Sequence, residues 1–214
     1  MSTFEVGPRD LLLVIDVQND FCTGGALAVP DGEAVVPMVN RLMPRFPVVV
    51  LTQDWHPAGH RSFASSHAGR KPFETIELDC GEQVLWPDHC VQGTAGARFH
   101  PELDLDRAAL LVRKGSDPEI DSYSALYEND KRTPTGLAGW LRERQVGALF
   151  LVGLATDFCV RYSALDARHA GFEVSVVEEA VRGIDLEGSV AATWAELDRA
   201  GVRRVSEADL RFAS

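Results

Sequence analysis

The chain has 214 residues, with 21 basic and 32 acidic side chains and a formal net charge of −11. That length suits one sizeable core, and an acidic chain without a Lys/Arg run disfavours nucleic acid and anionic membranes as partners. Hydrophobic residues at 45% and charged residues at 25% exclude a disordered or membrane-embedded composition.

The N-terminal stretch Met1–Arg9 lacks a basic region followed by an apolar run and a small-residue cleavage site, so a cytoplasmic protein is expected. Apolar runs of strand length then recur: Leu11–Ile15, Val48–Leu51, Ala109–Val112, Ala148–Val152, Glu173–Val177 and the short Arg203–Val205. Between them, helical spacing predicts helices near 33–44, 134–145, 158–170 and 188–200, with Gly171 and Gly201 as C-caps. Continuous apolar runs alternating with helices read as strands buried on both faces. The expected fold is therefore a single-domain, three-layer α/β/α arrangement over 1–214, with an open, mostly parallel six-stranded sheet. Ligands of such sheets bind beyond the carboxyl ends of the strands. Residues 55–105 form a loop-rich insertion carrying five of the six histidines, and a loop region of that length is usually functional.

Several strand ends carry reactive side chains. Asp54, His56 and His60 follow the second strand and His89 lies further along the insertion, a carboxylate with three imidazoles. Oxygen and imidazole donors suit zinc, iron or manganese, and the Asp-x-His spacing aims Asp54 and His56 to one face of an extended segment. Asp16 and Lys114 each end a strand; either could be an ordinary turn aspartate or a solvated lysine. Cys22, Cys80, Cys90 and Cys159 form no Cys-x-x-Cys pair, so reduced thiols are expected. Cys159 follows what reads as a strand-to-helix turn, with Thr156 as its N-cap. In a first helical turn, backbone amides and the macrodipole lower a thiol's pKa. An ammonium at Lys114 would lower it further, and Asp16 could take the thiol proton.

Three motifs carry a resemblance. Val14-Ile-Asp16-Val-Gln-Asn-Asp-Phe21-Cys-Thr-Gly-Gly-Ala-Leu, Arg113-Lys114-Gly and Val152-Gly-Leu154-Ala155-Thr-Asp-Phe-Cys159-Val resemble the segments of the isochorismatase-like cysteine hydrolase superfamily. Within it, Asp54, His56 and His89 match the three metal ligands usual in its nicotinamidase (pyrazinamidase) branch, with His60 left outside the set. The resemblance spans about Leu11 to Val205. It implies a catalytic Asp16, Lys114 and Cys159, a cis peptide between Leu154 and Ala155, and an oxyanion hole from the Ala155 and Cys159 amides. It also implies Phe21 and Trp86 flanking a flat ring, Tyr123 as a further wall, and Leu154 beside the substrate.

The expected activity is hydrolysis of nicotinamide, and of pyrazinamide, through a cysteine thioester, with one divalent metal, zinc before iron or manganese, anchoring the ring nitrogen. The expected role is NAD salvage. Another small-carboxamide cysteine amidohydrolase, or a non-enzymatic metal or thiol protein, would share many of these residues. A homo-oligomer remains open on sequence grounds.

Overall fold

The computed structural model describes residues 3–78 and 81–212, so Cys80 lies outside the described residues. Its strands and helices are, in chain order, β1 (Phe4–Val6), β2 (Asp10–Ile15), α1 (Val35–Leu42), β3 (Val48–Asp54), β4 (Thr75–Leu78), β5 (Gly81–Val84), β6 (Leu110–Lys114), α2 (Leu137–Glu143), β7 (Ala148–Leu154), α3 (Arg161–His169), β8 (Glu173–Arg182), α4 (Ser189–Arg199), β9 (Arg203–Val205) and β10 (Leu210–Phe212). Six of the strands make one sheet in the order β6-β3-β2-β7-β8-β9, and each neighbouring pair is parallel. They are the six runs predicted as strands. β3, β6, β7 and β8 extend past their apolar runs, because polar residues such as Gln53, Asp54 and Lys114 continue the ladder pairing.

Alternation explains why the strands read as unbroken apolar runs. Leu11, Leu13 and Ile15 enter one core cluster and Leu12 and Val14 the other; β7 divides likewise into Leu149 and Leu151 against Phe150 and Val152. α1 covers the Leu12 face through Val35, Val36, Val39 and Leu42. α2, α3 and α4 cover the Leu11 face through Leu137, Leu141, Ala164, Ala167 and Leu197. The chain moves outward from β2 through β3 to β6, then returns to β7 and proceeds the other way. With right-handed crossovers, that reversal puts α1 opposite the later helices and opens a crevice between the carboxyl ends of β2 and β7.

Helix ends differ from the sequence pattern for local reasons. Pro37 falls in the first turn of α1, where a backbone N–H has no intrahelical partner to lose, and Pro44 stands where the chain leaves the α-helix for a 3-10 turn. Gly171 and Gly201 lie just past α3 and α4 with φ of +93° and +74°, the left-handed closure expected of them. The predicted helix at 158–170 is divided. Residues Thr156–Val160 form a π turn in which Val160 N–H reaches Ala155 O, and α3 begins only at Arg161. Two pairings have no counterpart in the sequence pattern: the parallel β1–β10 pair, and the antiparallel β4–β5 hairpin inside the histidine-rich insertion. Among the described residues no helix is long and apolar enough to cross a membrane.

Gly153 closes the crevice at its floor. Its φ is +107°, and a Cβ there would collide with the backbone of Ile15 on β2. Replacing Gly153 with Ala should lower stability by at least about 2 kcal/mol, because it combines a disfavoured backbone region with a clash against main chain that cannot yield. Urea unfolding gives the measurement; a midpoint unchanged at constant m-value would show that β2 and β7 can separate at this point.

Candidate active site

Asp16, the residue after β2, is fully buried and sits at φ +48°, a conformation rare outside glycine. Thr52 of β3 fixes it. The Asp16 N–H donates to Thr52 Oγ1 at 3.2 Å, and the Thr52 hydroxyl donates to Asp16 Oδ1 at 2.6 Å. Lys114 ends β6 with its ammonium fully buried, where an unpaired charge would be very costly. Its three hydrogens have three acceptors: Asp54 Oδ1, the Ser122 carbonyl at 2.8 Å and Cys159 Sγ at 3.5 Å. Asp16 Oδ2 lies 2.9 Å from the ammonium and forms an ion pair with it. A carboxylate oxygen has more than one lone pair, so Asp16 can pair with the ammonium and still accept a proton from the neighbouring thiol. An Asp16 oxygen, an Asp54 oxygen and Cys159 Sγ all lie within 4.8 Å of one another.

The electrostatics follow from burial and these contacts. Burial pushes Asp16 up to about 6, against the pull of the Lys114 charge. Burial likewise raises the Cys159 thiol well above its ordinary range, and Lys114 recovers only part of the shift. This corrects the expectation of a thiol acidified by the helix start. Thr156 makes no side-chain cap, Ala155 occupies the N-cap position, and Cys159 lies in the π turn, out of water. The resting thiol is therefore protonated and requires a base. For Lys114 burial favours the neutral form, but Asp16 and Asp54 outweigh it and hold the ammonium charged.

Asp54 joins this group to a second one. Its Oδ1 takes a hydrogen from Lys114, while its Oδ2 faces His56 Nε2 at 3.7 Å and His89 Nε2 at 3.9 Å. His56 Nδ1 lies 2.9 Å from the Gly115 carbonyl, and His89 Nδ1 lies 2.9 Å from the Pro87 carbonyl. A carbonyl only accepts, so both rings are protonated at Nδ1 and turn an Nε2 lone pair toward the carboxylate, the tautomer and second contact that metal-bound histidines use. Gly115 is required there: at φ +63°, a Cβ would run into the His56 ring. Gln18 clamps the Asp54 backbone from both sides, accepting its N–H at 2.8 Å and donating to its carbonyl at 2.9 Å. Burial and the neighbouring His56 keep His89 neutral, down to about 4; for His56, burial is outweighed by the nearby negative charge of Asp54, which raises its pKa. One carboxylate and two converging imidazole nitrogens fit a divalent metal.

His60 stacks beside His56 with ring centroids 4.5 Å apart, and it falls in a separate grouping with His56 and Asp121. Its Nδ1 accepts the Ser62 N–H at 3.1 Å, and its Nε2 therefore donates to the Asp117 carbonyl at 2.8 Å. Both ring nitrogens are spent inside the loop, so no lone pair is free for an ion.

Between the two groups opens a small pocket lined by Phe21, Leu27, Asp54, Trp86, His89, Asp121, Tyr123, Ala155, Phe158, Cys159 and Ile184. Phe21, Trp86 and Tyr123 are thus brought to one cavity with Cys159, Ala155 and two of the three metal-type donors. Leu154 is not among these residues. Its side chain is fully buried in the core, and only its peptide with Ala155, which is cis, reaches the site. Sequence reasoning missed Leu27, Phe158, Ile184 and Asp121 on the walls, and Thr52, Gln18 and Ser122 behind them. Phe158 adjoins Cys159 and Gln18 follows Asp16 by two, so their motifs carried a signal. Ser122 acts through its carbonyl, which no side-chain pattern reveals.

A parallel sheet with a thiol, a carboxylate and an ammonium in contact beyond its carboxyl ends has the composition of a cysteine hydrolase. The chain belongs to the isochorismatase domain family, whose model matches residues 10–209. It is 50% identical to a nicotinamidase of Acinetobacter baylyi over 93% of both chains. Among solved structures, a nicotinamidase/pyrazinamidase of Acinetobacter baumanii shares 52% identity with a TM-score of 0.93, covering 95% of this chain and 98% of that one. PnC1 of L. infantum in complex with nicotinate shares 38% identity, covers 98% of both chains and superposes with a TM-score of 0.86. The pyrazinamidase of Pyrococcus horikoshii in complex with zinc shares 35%, with a TM-score of 0.76, over 93% of this chain and 99% of that one.

Replacing His56 or His89 with Ala should weaken metal binding by at least about 100-fold, since each removes a donor rather than a supporting contact. His60→Ala should retain the metal. Elemental analysis and chelator competition on the purified variants provide the readout; equal loss in all three would bring His60 into the ligand set.

Proposed function

We infer that the protein is a nicotinamidase that hydrolyses nicotinamide to nicotinate and ammonia and accepts pyrazinamide as well. The observation carrying this reading is the pocket in which the buried Cys159 thiol, with the Asp16 carboxylate close behind it, meets a metal-type donor set between aromatic walls. The close likeness to nicotinamidases supports it, and the nicotinate complex of a relative supports the substrate class.

In this mechanism Asp16 takes the proton from Cys159, and the thiolate attacks the carboxamide carbon. Lys114 stabilises the anionic pair throughout. The C=O electrons move to oxygen, where the Ala155 and Cys159 N–H groups receive the oxyanion. Asp16 then returns its proton to the nitrogen, and the C–N bond breaks to release ammonia and leave a thioester. Asp16 next takes a proton from water, whose oxygen attacks the thioester carbonyl. Collapse expels Cys159, which regains the proton from Asp16, and nicotinate departs. Asp54, His56 and His89 would hold a divalent metal, zinc by preference, that supplies an electrophilic anchor for the pyridine nitrogen. The aromatic side chains of Phe21, Trp86 and Tyr123 keep the ring flat against that anchor. A reduced nucleophilic thiol suits the cytoplasm, where the product would feed NAD salvage.

The reading is tested with two nearly isosteric amides. Nicotinamide should exceed benzamide in kcat/KM by about 10³-fold or more, because benzamide lacks the nitrogen the site is built to hold. Cys159→Ala should abolish ammonia release while keeping metal content. Equal turnover of both amides by the metal-loaded protein would point to a general amidase instead.

The pH dependence follows from Asp16. It must be ionised to accept the thiol proton, so kcat/KM should be level above about pH 6 and fall about tenfold per unit below it. Metal content measured at each pH separates this limb from proton-driven metal loss, and a flat profile down to pH 5 would exclude Asp16 as the base.

A further inference from the structure

The β4–β5 hairpin is exposed or half-buried along nearly all its length, yet Gln83 on β5 is 1% exposed. Its carboxamide points inward to a place where polar groups meet. Gln83 Nε2 donates its two hydrogens to Asp121 Oδ2 and to its neighbour's Val84 carbonyl, both at 2.8 Å, and lies 3.1 Å from the Tyr123 hydroxyl. The carboxylate of Asp121 only accepts, which fixes the amide with its nitrogen inward. The Tyr123 oxygen receives the indole N–H of Trp86 at 3.1 Å.

A phenolic hydroxyl has two acceptor positions and one hydrogen. At Tyr123 one acceptor position takes the Trp86 indole N–H, the other faces the Gln83 amide nitrogen, and neither nitrogen can accept the hydroxyl hydrogen. The hydroxyl hydrogen makes no bond to any described residue, and Tyr123 lines the pocket. We propose that Gln83 is a positioning residue that, with Trp86, turns the Tyr123 hydroxyl into a hydrogen-bond donor for the substrate. The pocket then has a third polar anchor beside the metal donors and the oxyanion amides, one that favours ligands carrying an acceptor atom at the Tyr123 wall. A sequence reading of Tyr123 as a ring-packing aromatic leaves this donor out, and Gln83, remote from every motif, is supplied entirely by the hairpin.

The inference rests on the nicotinamidase reading, and the experiment keeps the two apart because it begins from wild-type turnover of nicotinamide. Tyr123→Phe keeps the wall and removes the donor; it should lower kcat/KM about tenfold, the loss expected of one hydrogen bond. Gln83→Ala should lower it comparably, and the double variant should be no worse than Tyr123→Phe alone, since Gln83 acts through that hydroxyl. Gln83→Glu should lose at least as much, because a carboxylate would accept the hydroxyl hydrogen and turn it away from the substrate, and its unfolding midpoint should fall as well from the new charge beside Asp121. Absence of wild-type turnover would overturn the functional reading. With wild-type turnover intact, Tyr123→Phe at wild-type kcat/KM would overturn the donor. Additive losses in the double variant, or a Gln83→Ala variant changed only in thermal stability, would reduce Gln83 to a staple of the hairpin.

Discussion

The buried ammonium of Lys114 is the constraint on which the site depends. A lone ammonium removed from water would be far too costly to keep, and here two carboxylates, a carbonyl and a thiol surround it. Each partner comes from a different segment: Asp16 after β2, Asp54 at the end of β3, Ser122 from the loop after β6, and Cys159 from the turn after β7. Satisfying one charge therefore fixes the relative positions of four segments. It also explains how a thiol raised by burial coexists with a carboxylate near neutrality: the ammonium stabilises whichever of the two is charged.

Asp54 extends that order to the metal-type donors. Because one of its oxygens is committed to Lys114, the other is presented in a fixed direction toward His56 and His89. The imidazoles are oriented in turn by the Gly115 and Pro87 carbonyls. Gly115 directly follows Lys114, so the segment that delivers the ammonium also sets the tautomer of His56. The metal-type donor set and the buried thiol are thereby held at a fixed separation, the kind of preorganisation on which orientation effects in catalysis rest.

Much of this was legible in the chain. The strands are apolar on both faces, so their runs stand out, and the reactive residues mark strand ends because a sheet of this topology gathers its ligands there. Leu11–Ile15 followed by Asp16, and the Asp54-x-His56 pair, announced both element and chemistry. The exceptions have physical causes. The β4–β5 strands have four residues each, and their apolar residues Ile76, Leu78 and Val84 are only half-buried, so the alternation is too short to stand out. The resemblance implies Leu154 beside the substrate, but strand alternation turns its side chain into the core.

Sequence by itself determined the parallel sheet and the crossover helices, which follow from periodicity, while the resemblance of its motifs pointed to the thiol, the base, the lysine and the donor set. Only the tertiary structure decided their strengths. Whether Cys159 is acidified or held protonated depends on how much water its neighbours exclude. Whether His60 can offer a lone pair depends on Ser62 and Asp117, and which way the Tyr123 hydroxyl points depends on Gln83 and Trp86. Desolvation and hydrogen-bond direction are properties of surroundings assembled from distant parts of the chain, and no single segment contains them.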